Sequence, residues 1–364
     1  MKINAMLSYG AEEFVQEEIL LGEIDCDEVL VKIKAVGICH TDIASTKSIY
    51  PFTYPVVLGH EGAGVVERVG SDVKHIIPGD HVVLIYSFCN SCENCLAGKP
   101  YICDEFYRLN TTGYSKSHTK KRLTLKNGEE VSNFFGQSSF AEYSIVSQQS
   151  LVKIDKDVPL EYLGPLACGI MTGFGSVIEK LKPNGGDSIA VFGCGAVGLS
   201  AIIASKIIGC AEIIAIDVND SKLEFAKKFG ATKTINSLKQ NLIQEVQNIV
   251  SKGVHHVVES TGNPTIIQNA LDITRLSGKV VVLSAVKKGL EVSVDFKSIQ
   301  SERTLMGTIM GSVNPHTFIP RLIDWYKQGK LPLEELITFY KLEEINEAVN
   351  DLNEGKIVKA VLTI

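Results

Sequence analysis

Ile189-Ala190-Val191-Phe192-Gly193-Cys194-Gly195-Ala196-Val197-Gly198 is an apolar run that stops on spaced glycines and reopens as a helical stretch reaching residue 208. That order of strand, tight turn and helix gives G-x-G-x-x-G its meaning; elsewhere the same letters are a glycine-rich turn with no ligand. Gly193 permits the turn, Gly195 lets a pyrophosphate approach the backbone, and Gly198 allows close strand–helix packing. Ala196 and Val197 then present free N–H groups and the positive dipole end to anionic phosphates. A dinucleotide cradle is the expectation. Asp217 ends the next apolar run, 19 residues after Gly198. Its carboxylate can accept from ribose hydroxyls and would repel a 2′-phosphate, so NAD is expected in place of NADP, with Asn219 and Lys222 as further ribose contacts.

Around this stretch, apolar runs at 189–192, 213–216, 256–259 and 280–283 alternate with helical runs at 196–208, 221–229 and 265–274. Such alternation demands parallel βαβ units in a doubly wound sheet. The first 165 residues read differently. Short runs at 29–36, 64–69, 81–85 and 140–146, separated by turns such as Pro78-Gly79-Asp80, predict a mostly antiparallel, barrel-like domain. After residue 310, helical and turn segments lead to a strand-like end at 359–364. The simplest architecture is α/β: a doubly wound domain, 169–309, inserted into a β-rich domain built from 1–168 and 310–364.

A net charge of −6 opposes a general role on nucleic acid, which needs a concentrated basic surface. The one basic cluster, 116–126 with Lys116, His118, Lys120, Lys121 and Arg122, reads as a solvated loop before it reads as a binding arm. Met1-Lys2-Ile3-Asn4 leads into mixed polar sequence without a signal segment, and no run is apolar enough to span a bilayer. A reducing cytoplasm is the expected setting. Within it, Cys89, Cys92, Cys95 and Cys103, spaced C-x2-C-x2-C-x7-C, favour a metal over disulfides. Four thiolates close a tetrahedron around one Zn²⁺, with an Fe–S cluster as the alternative. Such a closed site has no position for substrate and props up a loop.

Cys39-His40-Thr41-Asp42, Gly59-His60-Glu61-Gly62-Ala63-Gly64 and Leu166-Ala167-Cys168-Gly169 are scattered, and each alone reads as a buried thiol or a satisfied core imidazole. Together with the thiolate loop and the glycine fingerprint, in this order, they resemble the zinc-dependent medium-chain alcohol dehydrogenases over nearly the whole chain. The resemblance implies a GroES-like β-rich catalytic domain and a Rossmann domain, with two Zn²⁺ per chain, one catalytic and one structural. It implies that Cys39, His60 and Cys168 hold the catalytic zinc, leaving a fourth position for substrate oxygen. Glu61 resembles an acid that approaches the metal during ligand exchange, and Asp42 the carboxylate that orients the histidine. Thr41 is implied as first proton acceptor, its hydroxyl able to donate and accept at once. Ala44 stands where many relatives carry a relay histidine, so the relay here ends through a ribose hydroxyl and water, or through another base. His40 and Lys359 match basic contacts to the cofactor pyrophosphate.

The run Gly164-Pro165-Leu166-Ala167-Cys168-Gly169-Ile170 resembles the aryl- or benzyl-alcohol dehydrogenases. With Tyr50, Phe52, Tyr54, Ile85 and Ile309 at expected pocket positions, it implies an aromatic or medium-chain primary alcohol. The neighbouring reading is a glutathione-dependent formaldehyde dehydrogenase, in which a basic residue after the last loop cysteine holds a carboxylate; Arg108 is near that place, with Tyr107 on it by spacing. A zinc-ribbon binding protein is opposed by the acidic flanks Glu93, Asp104 and Glu105, and a zinc-free reductase by the three ligands. The expected partner is a small alcohol or aldehyde, with no nucleic acid and no membrane, in a homodimer or homotetramer.

Overall fold

The computed structural model describes residues 1–114 and 121–364, so Lys116, His118 and Lys120 of the basic cluster lie outside the described residues. Its described neighbours are engaged by the β-rich part: Arg122 pairs with Asp25 and, at 2.7 Å, with Glu28, and Lys121 donates to Thr53 Oγ1 at 2.7 Å. The chain divides into two compact units, one of 1–168, 314–326 and 332–364, the other of 169–313 and 327–331.

The second unit carries six parallel strands, Ser188–Phe192, Glu212–Asp217, Lys233–Asn236, Val254–Glu259, Thr274–Val282 and Thr304–Gly307, in the spatial order 3-2-1-4-5-6. Ile189, Ala190 and Val191 are wholly buried, as a strand covered on both faces requires. The sheet's core gathers Phe192, Ile214, Ile216, Ile235, Val257 and Val280. The strand expected at 280–283 begins earlier, because Thr274 already pairs with Val254 and the register then shifts to Lys279 opposite His256. For the same reason the helix expected at 265–274 is Pro264–Asp272. Residues 310–313, expected with the β-rich domain, belong here; a Cβ on Gly175 would lie 2.4 Å from the Gly311 carbonyl oxygen, so this turn packs directly on the helix Gly169–Gly175.

The first unit holds two sheets. One runs Val56–Val57, Lys2–Ser8, Phe14–Leu21, Leu123–Thr124, Glu130–Val131. The other runs Leu151–Ile154, His81–Leu84, Gly62–Val69, Glu28–Gly37, Lys359–Thr363, Ile337–Lys341, with Tyr143–Ser147 also on Glu28–Gly37. All pairs are antiparallel except the last two in that path. The strand expected at 140–146 begins later, at Tyr143: Ala141 makes only an isolated bridge to Ala5 before regular pairing starts. The C-terminal strand lies against Glu28–Gly37, Val361 opposite Gly37, so both chain ends build this unit.

Candidate active site

Asp42 organises the site. It is fully buried in the helix His40–Ser45, where its Oδ2 accepts from the Cys39 amide at 2.9 Å. Its Oδ1 accepts from the Gly59 amide at 3.0 Å and stands 2.8 Å from His60 Nδ1. Gly59 has φ +87°, and a Cβ there would meet the Phe140 amide nitrogen at 2.5 Å, so only glycine delivers the following imidazole. With Nδ1 donating to Asp42, the lone pair is on Nε2, the tautomer a metal needs. Nε2 faces Cys168 Sγ at 3.3 Å, and Cys168 Sγ faces Cys39 Sγ at 3.9 Å. A tetrahedral ion with bonds of about 2.3 Å to sulfur and about 2.0 Å to nitrogen spaces two sulfurs by about 3.8 Å and sulfur from nitrogen by about 3.5 Å. The residues fit such an ion.

Glu61 is the fourth donor of the cluster, all four ligand atoms lying within 4.8 Å of one another. Burial pushes its carboxyl up to about 7 against the pull of the Lys359 ammonium, 2.5 Å away. Cys39 is held well below the usual thiol range by its contact with Cys168, against the effect of burial, and Cys168 is raised in turn. Burial opposes a charge on His60, but Asp42 outweighs it and raises the imidazole.

The four cysteines of the loop also converge. Cys89 Sγ lies 3.9 Å from Cys95 Sγ; the amides of Ser91 and Cys92 donate to Cys89 Sγ at 3.5 and 3.3 Å, and the Cys89 amide donates to Cys103 Sγ at 3.3 Å. Against burial, these amides bring Cys89 down to about 6. Backbone donors aimed at sulfur stabilise thiolates, and four of them fit one structural zinc.

In the other unit Gly193 takes φ +85°, and a Cβ at Gly198 would lie 1.8 Å from the Gly193 carbonyl oxygen. A Cβ at Gly195 would meet nothing within 4 Å. Gly195 is the N-cap of Ala196–Ile208, so this open space lies over unspent helix N–H groups and suits a phosphate. Asp217 accepts from the Cys194, Val218 and Asn219 amides at 2.7, 2.8 and 3.0 Å, which fixes its carboxylate beside the turn. Asn219 caps Asp220–Phe229, its side chain accepting from Ser221 and Lys222 amides.

Residues 25–156 match the alcohol dehydrogenase GroES-like domain and residues 196–328 the zinc-binding dehydrogenase domain. Geraniol dehydrogenase of Castellaniella defragrans is 36% identical over 92% of this chain and 90% of its own length. S-(hydroxymethyl)glutathione dehydrogenase of Saccharomyces cerevisiae is 34% identical over 100% and 96%. The chain belongs to the zinc-type alcohol dehydrogenases. Among solved members of the family, benzyl alcohol dehydrogenase from Acinetobacter calcoaceticus superposes with a TM-score of 0.95 at 40% identity, covering 100% of this chain and 99% of that one.

In this member of the family several other expected site residues are held within the β-rich unit. Lys359, expected at a pyrophosphate, is 3% exposed with its ammonium on Glu61 and on the Ile38 carbonyl at 2.8 Å. Ile85, expected in a substrate cleft, is fully buried. Tyr54 donates to the Ser45 carbonyl at 2.7 Å and braces the end of the 40–45 helix. His40 is exposed at the start of that helix, Thr41 is half-buried behind it, and Ala44 supplies no base. Arg108 is paired with Glu105. Tyr50 and Phe52 do stand at the metal cluster's aromatic wall, 6.1 and 5.8 Å from the Phe134 ring.

The sequence reading missed the residues that complete this wall. Phe135 lies 4.8 Å from the His60 ring and Phe134 5.6 Å. Buried Gln137 donates to the His60 carbonyl at 2.9 Å and accepts from the Gly62 amide at 3.2 Å, clamping the chain on both sides of Glu61. Only the aromatic density of Phe134-Phe135 before a glycine could have drawn attention to them. Among the described residues no helix is long and apolar enough to cross a membrane.

Proposed function

We propose that this dehydrogenase interconverts a primary alcohol, aromatic or medium-chain, and its aldehyde with NAD, holding one zinc at Cys39, His60 and Cys168 and a second on Cys89, Cys92, Cys95 and Cys103. The observation that carries this reading is the convergence around one point of two thiols and the Nε2 of an imidazole whose Nδ1 stands on Asp42. Zinc there supplies Lewis acidity that lowers the pKa of a bound alcohol, and NAD supplies the hydride acceptor.

The chain's own residues do the rest. Asp42 fixes the imidazole and the Cys39 amide together, so both ligands are held before substrate arrives. Thr41, on the same helix, takes the alcohol proton on its hydroxyl and passes its own onward. Ala44, on the same helix, offers no base to receive that proton, so a bound cofactor's ribose hydroxyl with water, or another base, would have to carry it on. His40 at its own helix start and, in the other unit, the amides of Ala196 and Val197 at theirs are each groups that would suit an anionic phosphate. Asp217 favours ribose hydroxyls over a 2′-phosphate. Half-buried Tyr50, backed by the buried rings of Phe134, Phe135 and Phe52 beside His60, would offer apolar surface to an aromatic or alkyl substrate. The named activities of the geraniol and benzyl alcohol relatives agree with that wall.

The second reading, oxidation of S-(hydroxymethyl)glutathione, is favoured by the yeast relatives that carry that name. Against it, Tyr107 takes by spacing the place of the basic group expected to hold the carboxylate, and neighbouring Arg108 is paired with Glu105. NADH formation across benzyl alcohol, cinnamyl alcohol, n-alkanols, polyols and S-(hydroxymethyl)glutathione tests both. Highest kcat/KM on an aromatic or medium-chain alcohol is expected. Highest kcat/KM on the glutathione adduct selects the second reading, and full activity of Cys39→Ser refutes both.

A further inference from the structure

Glu61 and Lys359 pose a problem for an open centre. The Glu61 carboxylate is within 4.8 Å of the ligand atoms of Cys39, His60 and Cys168. Four such donors complete a tetrahedral sphere, and a complete sphere leaves no place for a substrate oxygen. Lys359 Nζ stands 2.5 Å from Glu61 Oε2 and donates to the Ile38 carbonyl at 2.8 Å, both side chains being almost wholly buried. The slot they share exists because residue 37 is glycine: a Cβ there would lie 2.1 Å from Glu61 Oε2 and 3.0 Å from Lys359 Cε. The backbone locks it from three sides. The Gly37 amide donates to the Glu61 carbonyl at 3.1 Å, the Ile38 amide to the Ala360 carbonyl at 3.0 Å, and Val361 pairs with Gly37.

We propose that Lys359 is a positioning residue that holds the Glu61 carboxylate off the metal and so keeps the fourth coordination position open to substrate. A buried carboxylate is stable only beside a countercharge. Two are in reach of Glu61, the ammonium and the metal held by its neighbours. Removing the first delivers the carboxylate to the second. The inference rests on the reading of Cys39, His60 and Cys168 as a metal centre.

Cobalt(II) in place of zinc reads the centre by its visible spectrum, and imidazole, a small ligand for an open coordination position, reports whether that position is free. In wild-type enzyme, sulfur-to-cobalt absorption that Cys39→Ser abolishes is expected, with ligand-field bands that imidazole shifts. In Lys359→Met the sulfur absorption stays while imidazole affinity falls by about 10- to 100-fold, the range for removing a group that supports a metal ligand. Adding Glu61→Gln to that variant restores the response, and Lys359→Arg keeps it. Gly37→Ala, which crowds the pair and leaves its charges, weakens imidazole binding in the same direction and serves if Lys359→Met does not fold. Unchanged imidazole affinity in Lys359→Met, or in Gly37→Ala, overturns the proposal. A loss that Glu61→Gln fails to restore overturns it too, as does NADH binding weakened by Lys359→Met whether or not Glu61→Gln is present, which marks a pyrophosphate contact. Absence of the Cys39-dependent absorption from wild-type enzyme refutes the metal centre itself.

Discussion

Asp42 shows how much a single buried carboxylate can set. One oxygen serves the Gly59 amide and the His60 ring, the other the Cys39 amide, so three elements of the cluster share one anchor. Asp42→Asn keeps the volume and presents an amide NH2 where acceptors are needed. The imidazole then loses the partner that selects its tautomer, and catalytic-site metal affinity and kcat/KM are expected to fall by about 10- to 100-fold. Metal analysis at graded chelator concentrations, with activity measured in parallel, checks this; the four-cysteine zinc is expected to stay. Thr41 makes a finer test: Thr41→Ser keeps a hydroxyl and most of kcat, whereas Thr41→Val costs about 100-fold or more, within the range for a positioned proton acceptor. Equal rates for the two variants remove Thr41 from the relay. Cys39, His60 and Asp42 were legible only through the family resemblance, because each alone reads as a buried thiol, a core imidazole or an ordinary carboxylate. The Glu61–Lys359 pair was not: the partners are joined only through the register that sets Val361 opposite Gly37, which no local pattern encodes.

The strands Ser188–Phe192 and Val254–Glu259 start beside a small polar knot. Asp187 accepts from the Asn184 amide at 2.8 Å and stands 3.1 Å from His256 Nε2, and the Arg275 guanidinium lies 2.6 Å from His255 Nε2. Burial works against the Asp187 carboxylate, but the Asn184 amide and His256 outweigh it and hold its pKa below the usual 3.8. Burial also holds His256 below its usual 6.5, so this imidazole is neutral near pH 7, with Nε2–H donating to Asp187. The signs follow. A depressed carboxyl contributes stability above its unfolded pKa and loses it as pH falls through the folded value; a depressed imidazole makes the unfolded chain bind more protons below about 6.5, so stability again falls on acidification. Asp187→Asn is expected to cost about 1–3 kcal/mol near pH 7. Its deficit against wild type closes only as pH drops below about 3.8, which urea titrations across that window measure. A deficit independent of pH denies the carboxylate this role. At this scale the parallel sheet was legible because its strands are continuous apolar runs between helical stretches. Two-residue strands such as Val56–Val57 and Leu123–Thr124 carry no period to read, and the shifted register at Val254 moved a strand start that apolar content alone puts later.

The two units are drawn from the chain in unequal ways. Residues 169–313 are continuous and contain all six parallel strands with their helices. The β-rich unit needs both ends, because Lys359–Thr363 lies between Glu28–Gly37 and Ile337–Lys341 and carries Ala360, Val361 and Leu362, each wholly buried. The bipartite organisation was legible in the change of rhythm near Ile189; the return of the C-terminal segment to the first sheet came from the family resemblance and the strand-like end. Burying Val361 and Leu362 is worth about 1.5–3 kcal/mol each. Their loss removes much of the about 5–15 kcal/mol that a whole domain has to spare. A fragment of residues 169–313 is therefore expected to unfold cooperatively in urea, whereas a fragment of residues 1–168, though it holds all six cysteines and the histidine of both candidate centres, is not. Far-ultraviolet circular dichroism through the urea titration measures this, with stoichiometric zinc present so that metal is not limiting. A sharp transition in 1–168 would mean that the final strand is accessory, and the dependence of Glu61 on a lysine from the far end of the chain would then need another structural support.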